Sequence, residues 1–85
     1  MQSFMYTVKI PVGMHARHAG MFVKACSQFE SNVTVTCGDK SADGRRILAL
    51  MGLGIKQEAL IRVDVEGPDE DIAVVKLKAY VWENL

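Results

Sequence analysis

AGMFVKACSQFESNVTVTCGDKSA, residues 19–42, changes its apolar period partway along. Ala19, Phe22, Val23, Cys26 and Phe29 recur at helical spacing, with Lys24, Ser27, Gln28 and Glu30 on the opposite side. That pattern predicts an amphipathic helix of about four turns beginning at residue 16. Beyond it, Val33, Val35 and Cys37 alternate with Thr34 and Thr36, the two-residue period of a half-buried strand. Gly38-Asp39 is turn chemistry and predicts a hairpin into a short strand at 40–42.

The flanks complete the pattern. Residues 4–10, FMYTVKI, read as a strand ended by Pro11 and Gly13. Ile47, Leu48, Leu50 and Met51 form a short apolar segment closed by Gly52 and Gly54, which predicts a short helix. Ile61, Val63 and Val65 alternate with Arg62, Asp64 and Glu66, a fourth strand. Gly67-Pro68-Asp69 breaks the chain, and Asp69, Glu70 and Asp71 suit the positive N-terminal end of a last helix. Ala73, Val74, Leu77 and Val81 form its core stripe. The order β-α-β-β-α-β-α predicts an α+β fold: an open-faced β-sandwich, a four-stranded antiparallel sheet with three helices on one face. Ile72, Val75, Ala79 and Trp82 give the last helix a second apolar face. It reads either as a wide core stripe, with Trp82 covering a sheet edge, or as a self-association or partner patch.

With 85 residues, 49% hydrophobic, 24% charged and a net charge of zero, the chain has the composition of one soluble domain. Neutral balance argues against a dedicated nucleic-acid binder, because backbone affinity needs accumulated lysine and arginine. No apolar run approaches the roughly 20 residues that cross a bilayer. The first residues lack the pattern of an export signal, so a cytoplasmic location without membrane insertion is expected. Cys26 and Cys37 match no metal-ligand or redox spacing. Cys26 is expected to be a buried thiol and Cys37 partly exposed, without a disulfide.

Both histidines, His15 and His18, lie in GMHARHAG, residues 13–20, where the first strand's loop enters the first helix. The first amides of a helix have no internal partner, and the helix dipole is positive there. Such an end receives phosphate readily, and is expected to favour the neutral, nucleophilic form of His15. A phosphoryl group on its ring could rest on the amides of Ala16 and Arg17. The Arg17 guanidinium offers planar donors suited to phosphate oxygens. Gly13 permits close backbone approach in the loop.

GMHAR, the apolar stripe after it, RRILALMGLGI and EGPDEDIAVVKL together resemble the HPr family, the histidine-containing phosphocarriers of the bacterial phosphotransferase system. The resemblance spans nearly the whole chain and implies a single HPr-like domain over residues 1–85. It implies that His15 accepts a phosphoryl group on Nδ1 from Enzyme I, charged by phosphoenolpyruvate, and passes it to the IIA domain of a sugar transporter. By the same resemblance Arg17 steadies the phosphoryl group, with Ala16 and His18 beside it. Ile47, Leu48 and Met51, with Arg17 and Lys24, form the partner-docking surface, and Phe22, Val23 and Phe29 are core positions. Such a protein is a stoichiometric carrier rather than a turnover enzyme. No metal or organic cofactor is indicated, and a monomer is expected, with the last helix leaving a dimer open.

Three positions depart from the family pattern. His18 replaces a proline, as a tolerated substitution, a second titrating group beside His15, or half of a weak metal pair. Val12 replaces a serine or asparagine that helps hold the phosphoryl group. Arg46 replaces the regulatory serine of Gram-positive relatives, and with Arg45 forms either a basic spot beside the docking patch or a solvated turn. These departures favour an alternative, an HPr-like regulatory module that docks partners without relaying sugar phosphoryl groups; the presence of His15 argues against it. A small hydrolase of acylphosphatase type fits poorly, since no glycine-rich loop with an arginine follows the first strand in the required form.

Overall fold

The computed structural model describes all 85 residues. Its elements run β1 (Gln2–Thr7), α1 (Ala16–Cys26), β2 (Asn32–Cys37), β3 (Lys40–Asp43), α2 (Ile47–Met51), β4 (Leu60–Glu66) and α3 (Glu70–Asn84). The sheet order is β1-β4-β2-β3, and every neighbouring pair is antiparallel. Phe4 and Val35 both pair with Val63, Val33 pairs with Val65, and Val35 also pairs with Ala42. All of these side chains are buried, so one face of the sheet is apolar. The opposite face carries Ser3, Met5, Thr34, Thr36, Arg62 and Asp64, which are exposed or half-buried. A one-residue slip would invert every one of these positions, so burial itself sets the register. The helices cover the apolar face through Ala19, Phe22, Cys26, Leu50, Ala73, Leu77 and Val81. No helix is long and apolar enough to cross a membrane.

Several boundaries differ from the sequence reading. The first strand lies at Gln2–Thr7 rather than 4–10, because beyond Thr7 the backbone leaves the β4 ladder. The Val8 amide donates to Ala59, and those of Lys9 and Ile10 donate to Leu85. The first helix stops at Cys26, a turn early. The Ser27 hydroxyl donates to the Val23 carbonyl at 2.7 Å, and Phe29 lies beyond the helix. Val23 and Phe29 are therefore half-buried flanks of the core, and only Phe22 is enclosed. Val74 is likewise half-buried. Cys26 is a buried free thiol, whose pKa burial pushes up to about 12; Cys37 is free and half-buried.

Asp69 does more than complement a helix dipole. It stands at the N-cap of α3 but makes no side-chain bond to its own helix. Its carboxylate accepts the Glu30 and Ser31 amides, each at 2.9 Å, and the Ser31 hydroxyl. These bonds, led by that of the Ser31 hydroxyl, hold the Asp69 pKa below the usual carboxylate value. Arg45 donates to the carbonyls of Phe29 and Ser31, so it ties the turn before α2 to the same loop. Of the two arginines, only Arg46 is an exposed charge beside α2, which corrects the picture of a joint basic spot.

The two apolar faces of α3 have different fates. Leu77 is 1% exposed, whereas Ile72 and Val75 are 60% and 67% exposed, so the second face is no extension of the core. Trp82 does cover a sheet edge: its ring meets Tyr6 of β1 edge-on, 5.2 Å between centroids. Leu77→Ala should cost about 2–5 kcal/mol in urea unfolding, and Val75→Ser less than about 0.5 kcal/mol. Equal costs would mean that both faces are buried.

Candidate functional site

The segment between β1 and α1 is held by backbone bonds to two distant parts of the chain. The Val8 carbonyl accepts the Glu58 amide at 2.8 Å, and the Ile10 amide donates to the Leu85 carbonyl at 3.0 Å. The Met14 amide donates to the Ile55 carbonyl at 3.0 Å, and the Met14 side chain is buried. Gly13 has φ +72°, and a Cβ on it would lie 2.4 Å from the Ile55 oxygen and 2.8 Å from Lys56 Cα. Glycine is required here by both conformation and space. The expected close backbone approach is therefore present, with its partner supplied by residues 55 and 56.

This anchoring presents His15 at the N-cap of α1 in an extended conformation. Its imidazole makes no capping bond, so the ring is not spent on holding the helix. The His15 carbonyl accepts the Ala19 amide at 2.9 Å, the first i→i−4 bond of the helix. The amides of Ala16, Arg17 and His18 lie before that bond and have no backbone acceptor. Ala16 and Arg17 are exposed, and Arg17 is in no ion pair or side-chain hydrogen bond. Three open amides and an uncommitted guanidinium thus follow directly on an available imidazole in the chain, donors suited to an oxyanion with several acceptor oxygens.

His18 lies against His15, with ring centroids 4.5 Å apart and planes at 65°. Its Nδ1 is buried without a hydrogen-bond partner. Burial, and then like-charge repulsion from His15 and Arg17, lower its pKa. The two imidazoles are the only pair of metal-ligating side chains here, and no group of three or more such residues converges anywhere in the fold.

None of the concavities of the fold includes residues 15–18. His15, Ala16 and Arg17 are exposed and line no cavity, so the fold offers no pocket at this site to enclose a small substrate. What lies beside it is apolar surface. A Cβ on Gly20 would meet Ile47 Cδ1 at 3.5 Å, which places α2 against the second turn of α1. Ile47, Leu48 and Met51 are exposed there, Leu48 by 80%, while Leu50 anchors the helix in the core. Arg46 caps α2 with an extended backbone and no side-chain bond. Lys24, one turn beyond Gly20 on α1, lines a groove of about 330 Å³ between α1 and α3 with Met21, Gln28, Lys76 and Tyr80. Val12 is exposed and apolar, and adds no polar group to the site.

Residues 2–83 match the family described as PTS HPr component phosphorylation site. The phosphocarrier protein HPr of Lysinibacillus sphaericus is 37% identical over 83 residues, covering 98% of this chain and 94% of that protein. The HPr-like protein Crh of Bacillus subtilis is 32% identical over 78 residues, covering 92% of each. A solved structure of the histidine-containing phosphocarrier protein of Mycoplasma superposes with a TM-score of 0.92 at 29% identity, covering 96% of this chain and 93% of that one.

The Gly13 contact makes a direct prediction. Gly13→Ala should destabilise the fold by at least about 2 kcal/mol in denaturant unfolding, from its positive φ and the clash at Ile55. The same substitution should shift the His15 imidazole resonances. An alanine variant with wild-type stability and spectrum would show that the loop is not held at this point.

Proposed function

The chain belongs to the HPr family of phosphocarriers, and on that footing we propose that His15 accepts a phosphoryl group from Enzyme I and gives it to IIA domains of sugar transporters. The observation that carries this reading is the free His15 imidazole at an unpaired helix start, exposed beside the apolar side chains of α2. Transfer needs an unprotonated ring nitrogen. In the proposed step Nδ1 attacks phosphorus in line, the P–N bond forms, and the bond from phosphorus to the donor breaks. Negative charge spreads over the equatorial oxygens in the transition state. The amides of residues 16–18 and the Arg17 guanidinium are the donors that would meet it. Water must be excluded during the step, and an exposed site leaves that to the partner's surface.

The exposed Ile47, Leu48 and Met51 supply the apolar centre of such an interface, and Arg17 and Arg46 supply positive charge at its rim. Lys24, one turn beyond Gly20 on α1, is a further positive contact in this reading. A carrier of this kind works in the cytoplasm and is regenerated only by its partners, so it is not a turnover catalyst. The alternative regulatory module is favoured by the likeness to Crh and by Val12 and His18, and the same experiment separates the two.

Incubation with a bacterial Enzyme I and phosphoenolpyruvate should add one acid-labile phosphoryl group by intact mass at alkaline pH. His15→Ala should abolish the gain with the fold intact. Arg17→Ala should slow it roughly a hundredfold, the loss typical of one preorganised donor. No gain in the folded wild-type protein would reject the relay and favour the regulatory module. Met51→Glu should weaken Enzyme I binding about tenfold or more by calorimetry; unchanged affinity would remove α2 from the interface.

A further inference from the structure

We propose that His18 is the counter-ion of the phosphoryl group: neutral beside the free His15 ring, it takes one proton from solvent when a phosphoryl dianion occupies that ring. The inference rests on His15 being the acceptor and concerns the residue one turn-start away that replaces the family's proline.

The geometry supports it in three ways. The rings are 4.5 Å apart, close enough for a charge on one to be felt strongly by the other. The His18 Nδ1 has no hydrogen-bond partner, so a proton added to the ring now would complete no bond within the protein. The surroundings are unbalanced: His15 in the loop and Arg17 on the same helix both oppose a positive charge on His18. The charged and titratable groups of the neighbouring elements, among them Tyr80 and Glu83 of α3, Arg46 of α2, and Lys56 and Glu58 of the loop before β4, make no contribution to the shift at His18. No carboxylate acts on His18 to hold an imidazolium.

A phosphoryl group supplies that missing anion. It brings close to two negative charges and three acceptor oxygens. Proton binding at His18 and phosphoryl binding at His15 then favour each other, and linkage makes the effect reciprocal. The sign follows. The phosphorylated protein binds one more proton than the free protein between the two His18 midpoints. Lowering the pH through that window therefore favours the phosphorylated carrier over its donor.

The test follows both imidazoles by NMR titration, before and after phosphorylation of the full chain with potassium phosphoramidate. This small donor needs no protein docking. A carrier reading that fails with Enzyme I is thereby kept separate from the coupling measured here. The His18 midpoint should rise by about one pH unit when His15 carries the group, which corresponds to a roughly tenfold pH-dependent change in the transfer equilibrium. His18→Gln, which keeps a polar side chain without the titration, should remove that pH dependence while His15 still accepts the group. An unmoved His18 midpoint overturns the proposal. So does a phosphoryl group found on His18, a His15 that phosphoramidate leaves unmodified, or an unchanged pH dependence in His18→Gln.

Discussion

The amide of Met14 on the carbonyl of Ile55, with Gly13 passing too close to that backbone for any side chain, decides where the first loop becomes a helix. Everything chemically distinctive follows from that point. One residue later the chain is extended at His15, and from Ala16 it is helical. The open amides and the free imidazole are thereby put on one corner. The corner is tied to the core beneath it, because Met14 and Ile55 are themselves buried. A site on a loop is thus given the positional certainty of a packed element.

A second polar fastening does the same at the opposite end of α1. Asp69, Ser31 and Arg45 join the start of α3, the loop before β2 and the turn before α2. Gly67 belongs to this junction, since a Cβ on it would lie 2.6 Å from Ser31 Cα. The helices are therefore oriented by hydrogen bonds at their ends as well as by apolar packing along their length. Hydrogen-bond geometry is directional where hydrophobic burial is not.

Periodicity made most of this architecture legible in the sequence. Strands β2 and β4 and helix α2 were readable because each has a local pattern, apolar alternation or an apolar cluster closed by glycine. The histidine motif was equally local. What the sequence did not disclose lies in partners distant along the chain. The end of β1 depends on Ala59 and Leu85, and Arg45 looked like a surface charge because its acceptors lie 14 and 16 residues away. Asp69 is similar: its neighbours suggested a helix dipole, and its acceptor role needs a loop 38 residues earlier. The core stripe of the last helix, Ala73, Leu77 and Val81, was legible by its helical spacing, and what the sequence left open was whether the second apolar face was covered as well.

The exposure of the His15 corner has a consequence for traffic. A pocket can hold one reactant while a second arrives, but an exposed residue cannot. In the proposed relay, a giver and a taker that both need His15 and the α2 patch must use the same ground in turn. Such a carrier has to leave one before it meets the next, and throughput is then bounded by how quickly each encounter dissolves. Adhesion strong enough to outlast the chemical step would congest the route, so modest, short-lived contacts suit this surface better than tight ones.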